Sequence, residues 1–220
     1  PAHRFAAVDL GTLGGDLSEA LAIAPNGDIA GWSYNADEDP RGFHYSNGVM
    51  TDLPTLGGSE SQGYGLNSVG LVVGSAISSD ENRYATSWTN GVVTQLTPPD
   101  SAGGGEAYAV NASGAVIMSA DNAAGDQQTW IFQNGAYTLL PSLGGPETAG
   151  ADIADNGAAV GASVTASERV HAVLWSNGAV TDLGTLGGDG AIAFALNESG
   201  QIVGSSRTVT GTTHAFVWQN

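Results

Sequence analysis

Apolar residues along this chain come in short runs broken by Gly, Asn and Ser, and the runs recur. In one unit, residues 193–197 (AFALN) alternate small and large side chains and predict a first strand, after which ESGQ (198–201) turns the chain. IVGSS (202–206) predicts a second strand and HAFVW (214–218) a third. In the preceding unit an Asn-Gly turn leads to a fourth strand, AVTDL (179–183), and then to TLGG at 185–188. Asn-Gly between apolar runs predicts a tight hairpin, because the turn that suits strand twist needs positive φ at both central residues.

The unit repeats along the whole chain. Asn-Gly pairs begin at Asn47, Asn90, Asn134 and Asn177, and the last residue is Asn220, so the intervals are 43, 44, 43 and 43 residues. Gly27, Gly70, Gly114, Gly157 and Gly200 stand 20 residues before each of those Asn. Four short strands in such a period match a propeller blade, whereas a β-helix coil would repeat about twice as often. The expected fold is all-β: a single domain over 1–220, a five-bladed β-propeller of four-stranded antiparallel blades at approximately 16–54, 59–97, 103–141, 146–184 and 189–220. The last unit stops at HAFVWQN without a fourth strand, while FAAVDL (5–10) is a fourth strand with no blade before it. Residues 1–10 are therefore expected to complete the last blade and close the ring, which removes exposed sheet edges.

Comparison of equivalent positions separates structural from special residues. The innermost strands carry Ala20, Gly63, Ala107, Gly150 and Ala193, then Ala22, Gly65, Ala109, Asp152 and Ala195 two residues on. Small residues at period two are expected to let these strands crowd around a narrow axis, and Asp152 breaks the rule. The third strands end on Tyr45, Trp88, Phe132, Trp175 and Trp218, one per unit, which reads as packing between blades. The joint TLGG recurs at 12–15, 55–58 and 185–188, with SLGG at 142–145. The third unit departs: TPPDSAGGGEA (97–107) replaces the joint, and Met118 stands where the others have Gly31, Gly74, Gly161 and Gly204.

HAVLWSNGAVTDLGTLGG (171–188) and ALNESGQIVGSS (195–206) resemble the bacterial extracellular HAF repeat, named for the triplet seen here at His214-Ala215-Phe216. The resemblance extends over essentially all of the chain in five copies. It implies a secreted or cell-surface setting, with the signal peptide outside this chain. It brings no activity and no catalytic residues.

Composition narrows the partners. The 22 carboxylates face five cations, all Arg, for a net charge of -17, so nucleic acid and anionic membrane surfaces are excluded as partners on electrostatic grounds. No apolar run is long enough to insert in a membrane, and without Cys there is neither a disulfide framework nor a thiolate metal site. The 33 glycines are about twice the usual share of roughly 7% and are expected to serve turns.

Strand direction puts the Asn-Gly and NESG-type turns on one face and the longer loops, with the TLGG joints, on the other. Most carboxylates fall on that long-loop face, which therefore draws cations. Asp37, Glu38 and Asp39, and Asp80 and Glu81, are the candidate ligands for Ca²⁺, although their spacing matches no compact calcium loop. Asp16 and Asp189 directly after the joint, with Asp100 and Glu106 in the irregular third unit, are the candidate ligand-binding residues. Axial carboxylates are the acid–base groups a glycoside hydrolase on this fold would use, and Asp152, Glu19 and Glu106 are the candidates. His171 and His214 share a position held by Arg41, Tyr84 and Gln128 elsewhere, which reads as structural. There is no nucleophile elbow, phosphate loop or dinucleotide fingerprint. The expected function is non-enzymatic: an interaction module that recognises glycans or a surface protein, with no cofactor other than Ca²⁺. The alternatives are the hydrolase and a structural unit of a larger surface assembly.

Overall fold

A computed structural model describes residues 6–219, and among these there is no helix. Five antiparallel sheets follow one another along the chain. The first blade comprises β1 (Gly14–Ile23), β2 (Ile29–Asn35), β3 (Pro40–Ser46) and β4 (Val49–Leu53); the second β5 (Gly57–Leu66), β6 (Val72–Ser78), β7 (Arg83–Thr89) and β8 (Val92–Gln95). The third runs from β9 (Ser101–Val110) through β10 (Val116–Asn122) and β11 (Gln127–Gln133) to β12 (Ala136–Leu139). The fourth holds β13 (Gly144–Ile153), β14 (Ala159–Thr165), β15 (Val170–Ser176) and β16 (Ala179–Asp182). The last has three strands, β17 (Gly187–Leu196), β18 (Ile202–Thr208) and β19 (Thr213–Trp218). Within each sheet the strands pair in chain order, so each blade is an up-and-down meander, and the first strands of successive blades lie next to one another.

The hairpins form as their residues require. Asn47, Asn90, Asn134 and Asn177 have φ of 52°, 50°, 50° and 52°, and the Gly after each is also positive, so both central positions of the turn are left-handed. TLGG turns out to be part of the ladder as well as a joint. The Leu makes a parallel bridge to the end of the second strand, as at Leu13↔Asn35, and the two Gly begin the inner strand. The Thr12 hydroxyl donates to Gly15 O (2.8 Å) and accepts from Gly14 N (3.2 Å), with the same pair of bonds at Thr55 and Thr185. The first Gly takes φ of +91 to +114°, and a Cβ on the second would lie 2.5–2.8 Å from the end of the second strand. A buried serine completes the joint: the N–H groups of Leu13, Leu143 and Leu186 donate to Ser33, Ser163 and Ser206 Oγ at 2.8–2.9 Å. In the second blade Ala76 holds that place, and Leu56 N–H donates to Ile77 O instead.

Four apolar clusters hold the blades together, one between each successive pair. Val160 and Ala172 of one blade meet Ala193, Ile202 and Trp218 of the next, and the same positions recur in the other three clusters. Trp88 and Trp175 are buried at the interfaces, and their indole N–H groups donate to Pro54 O and Pro141 O of the preceding blade at 2.8 Å. On the short-turn side Asn67 and Asn111 donate to Asn111 O and Ala154 O, each bond reaching into the following blade.

The expected ring closure is not found among the described residues. Residues 6–10 make no ladder, residues 1–5 lie outside the described part, and blade 1 shares no apolar cluster with blade 5. Small residues of the inner strands pack against the preceding blade. A Cβ at Gly63 would meet Gly31 O and Leu53 of the preceding blade, and one at Gly150 would meet Ile117 and Thr129. Smallness at these positions therefore serves lateral approach of neighbouring sheets, while a Cβ at Gly65 would meet Tyr108 O and Ala109 Cα of the next inner strand, so the inner strands are crowded against one another as expected. In the third blade, where the joint is replaced, residues 101–110 form a full inner strand, β9, through three successive left-handed glycines, Gly103, Gly104 and Gly105.

Each inner strand carries a bulge, seen as register shifts such as Gly63/Gly65 and Gly150/Asp152. Opposite it the second strand has Gly, where a Cβ at Gly161 would fall 2.0 Å from Ala149 O. Backbone cannot yield as a side-chain tip does, so Gly161→Ala should cost about 2 kcal/mol and lower Tm by about 4–8 °C, measured by calorimetry.

Candidate functional site

The polar groups that converge most fully lie between the second and third blades. On β5, Glu60 and Gln62 share one side of the strand, and the bulge at Gly63/Gly65 brings the Tyr64 hydroxyl to the same place. Gln62 stands directly across from Ser75 on β6. Tyr64 OH donates to Gln62 Oε1 at 2.6 Å, lies 3.3 Å from Ser75 Oγ, and reaches Glu106 Oε1 of the third blade at 3.3 Å. Arg83, from the start of β7, donates to Ser75 Oγ and to Glu60 Oε2, both at 2.9 Å. The cluster thus spans two blades by one direct side-chain contact, Tyr64 to Glu106.

Burial pushes the Tyr64 phenol above its ordinary pKa. Tyr108, two residues beyond Glu106, is pushed up to about 12, first by burial and then by the Glu106 charge. Both phenols therefore remain neutral donors at physiological pH. The Arg83 guanidinium is matched by Glu60, in a pair about one-third exposed on each side, so the site offers no uncompensated positive charge. Glu60 also lines a cleft of about 580 Å³ between the joint Gly57–Ser59 and the loop at 78–81. The chemistry on offer is an alternation of donors and acceptors beside aromatic surface, suited to a neutral polyhydroxylated ligand.

The residues singled out in the sequence are scattered more widely. Glu106 belongs to this site, and Asp100 lines a separate recess of about 180 Å³ with Asp121, Gln128 and Trp130. Asp16 is exposed at the start of β1, and Asp189 makes an exposed ion pair with Arg207 at 3.2 Å. Glu19 accepts from the Trp32 indole at 3.1 Å. Asp152 accepts from Ile153 N at 2.9 Å and from Leu196 N of the next blade at 3.0 Å. No hydrogen bond or ion pair among the described residues joins any two of Glu19, Glu106 and Asp152. The position of Asp152 on a crowded strand is explained by its inter-blade bond.

Asp37, Glu38 and Asp39 occupy a tight turn organised by Asn35, whose Oδ1 accepts from Asp37 N and Asp39 N at 2.9 Å. Asp80 and Glu81 occupy the equivalent turn of the next blade, where the Ser78 hydroxyl donates to Asp80 and, with Asn82, holds its pKa below the usual range. Glu38 and Glu81 are both left-handed, at φ 63°. Among the described residues no three carboxylate or imidazole groups gather as metal ligands. The expected Ca²⁺ site is thus not formed by these residues. Sequence reasoning passed over Tyr64, Gln62 and Ser75; the available signal was a Tyr at one repeat position in two successive units, Tyr64 and Tyr108.

No family model matches the chain, and no curated protein matches it. Among solved structures it is similar to TolB from Acinetobacter baumannii, with a TM-score of 0.58 at 18% identity over 92% of this chain and 54% of that one. The chain thus spans about half the length of the TolB chain it matches. More distant are the six-bladed fungal lectin of Aleuria aurantia (TM-score 0.49, 10% identity, 92% and 75% covered) and the SapL1 lectin solved with alpha methyl fucoside (0.48, 13%, 92% and 81%). The neighbours are β-propellers, and the likeness is one of fold.

Asp152→Ala, which removes a carboxylate acceptor from two backbone N–H groups, should lower stability by about 1–2 kcal/mol in urea denaturation. A Tyr pKa raised in the folded state means that the native protein holds the proton longer, so this contribution is intact below about pH 10 and is lost as pH rises toward 12. Tyr108→Phe should therefore flatten the fall in stability between pH 10 and 12.

Proposed function

We propose that this chain is an extracellular, non-enzymatic propeller of the HAF-repeat type that binds a neutral glycan between its second and third blades. The observation that carries the reading is the Tyr64–Glu106 contact across the blades, set among Gln62, Ser75 and the Arg83–Glu60 pair. Each sugar hydroxyl is both donor and acceptor, and this cluster presents both kinds of partner a few ångströms apart. The acid-rich surface opposes anionic ligands, while Arg83 is already neutralised by Glu60, so a sulfated or sialylated glycan is disfavoured. The adjoining cleft of about 580 Å³ lies within the size range of small-ligand sites. The long, specific resemblance of the repeat and the high carboxylate content support the extracellular setting.

The test is an array of neutral and acidic oligosaccharides, followed by calorimetry on any hit. Binding should be confined to neutral glycans, and Glu106→Gln and Tyr64→Phe should each weaken it by about tenfold with little change in Tm. Silence across the neutral set, or affinity unaltered in both variants, would sink this reading.

A further inference from the structure

Each end of the blade array exposes what every interior blade buries. Toward the following blade, Ala30, Val73, Ile117 and Val160 are fully buried, whereas Val203, at the same repeat position in the last blade, is 46% exposed. Val217 beside it is 60% exposed, and β19 has no further strand among the described residues. Toward the preceding blade, Leu66 and Ile153 are buried, but their equivalent Ile23 in the first blade is 72% exposed. Repeat arrays normally finish in polar caps, because an uncovered repeat face is apolar. Among the described residues neither end has one.

The hydrogen bonds are left open in the same complementary way. Inside the array, Gly42 N–H donates to Ser61 Oγ at 3.0 Å and Thr129 N–H to Thr148 Oγ1 at 2.8 Å, each bond crossing a blade interface. Ser18 is the equivalent of Ser61 and Thr148, and it is exposed on the first blade; Ala215 is the equivalent of Gly42 and Thr129, on β19. Residues 6–10 (AAVDL) carry a fourth-strand sequence, and the turn after them is already formed: Gly11 N–H donates to Asp9 Oδ1 at 2.9 Å, as Gly184 N–H does to Asp182 Oδ1 at 2.7 Å.

We infer that copies of this chain dock head to tail. The first blade of one copy packs on the last blade of another, and residues 6–10 of the first add as a fourth strand to β19 of the second. The occupant is a second copy because the surface it must match is the interface already built four times within the chain. Such a contact is heterologous, so it propagates into rings or filaments instead of stopping at a symmetric dimer.

By the register of β3 on β4, where His44 faces Thr51, residue 217 of one copy should face residue 8 of the other. The chain has no Cys, so a Val8→Cys variant mixed with a Val217→Cys variant reports that pairing cleanly. A short bis-maleimide should give a covalent dimer containing one of each, and sedimentation velocity on the unmodified protein should show species larger than a monomer that grow with concentration. Val203→Arg, an exposed substitution, should return the protein to monomers with its far-UV circular dichroism unchanged. Monomer at every concentration, or assembly that persists in Val203→Arg, would overturn the inference. So would a Val8→Cys/Val217→Cys double variant that cross-links only within one chain, since that is closure of a single ring.

Discussion

The contact between the face of one blade and the inner and third strands of the next is the interaction on which everything else rests. A single four-stranded sheet has two faces and cannot bury either by itself. Here each blade supplies two or three buried residues, such as Val73, Ala85 and Leu96 or Val160 and Ala172, to a cluster completed by its neighbour's Val116 and Met118 or Ala193 and Ile202. Burying a Val or Ile side chain is worth about 1.5–3 kcal/mol, and each interface buries several, while its few hydrogen bonds contribute about 1 kcal/mol apiece. Apolar packing therefore sets stability. The bonds from Ser61, Trp88 and Asn67 set register.

That division of labour explains why so little space remains for side chains between inner strands. Where Gly63 and Gly65 let blades approach, the residue between them, Tyr64, is displaced by the bulge and its hydroxyl reaches Glu106. The candidate site is thus a by-product of the device that packs the blades, with polar groups at one interface and Leu21 or Ala151 at the equivalent position of others. Asp152 shows the opposite case. It is a carboxylate at a packing position whose bond to Leu196 N–H links two blades.

Blade 3 marks where the repeat was loosened. Its missing TLGG joint is replaced by Gly103, Gly104 and Gly105 at φ +109°, +75° and +137°, yet β9 still pairs with β10. Met118 is fully buried there, at the position where every other blade has Gly. Glycines that take left-handed angles without penalty let this strand follow a different approach while keeping its ladder.

The chain by itself determined the local rules: the repeat length, four strands to a unit, left-handed Asn-Gly hairpins, and a joint whose Thr and Gly residues close their own hydrogen bonds. These are decided by residues close in sequence, so they can be read without the fold. The direction in which the small inner-strand residues point, the open first and last faces, and the meeting of Tyr64 with Glu106 could not be read that way. Each depends on how one blade is rotated against the next, and that angle comes from the packing of side chains about 43 residues apart.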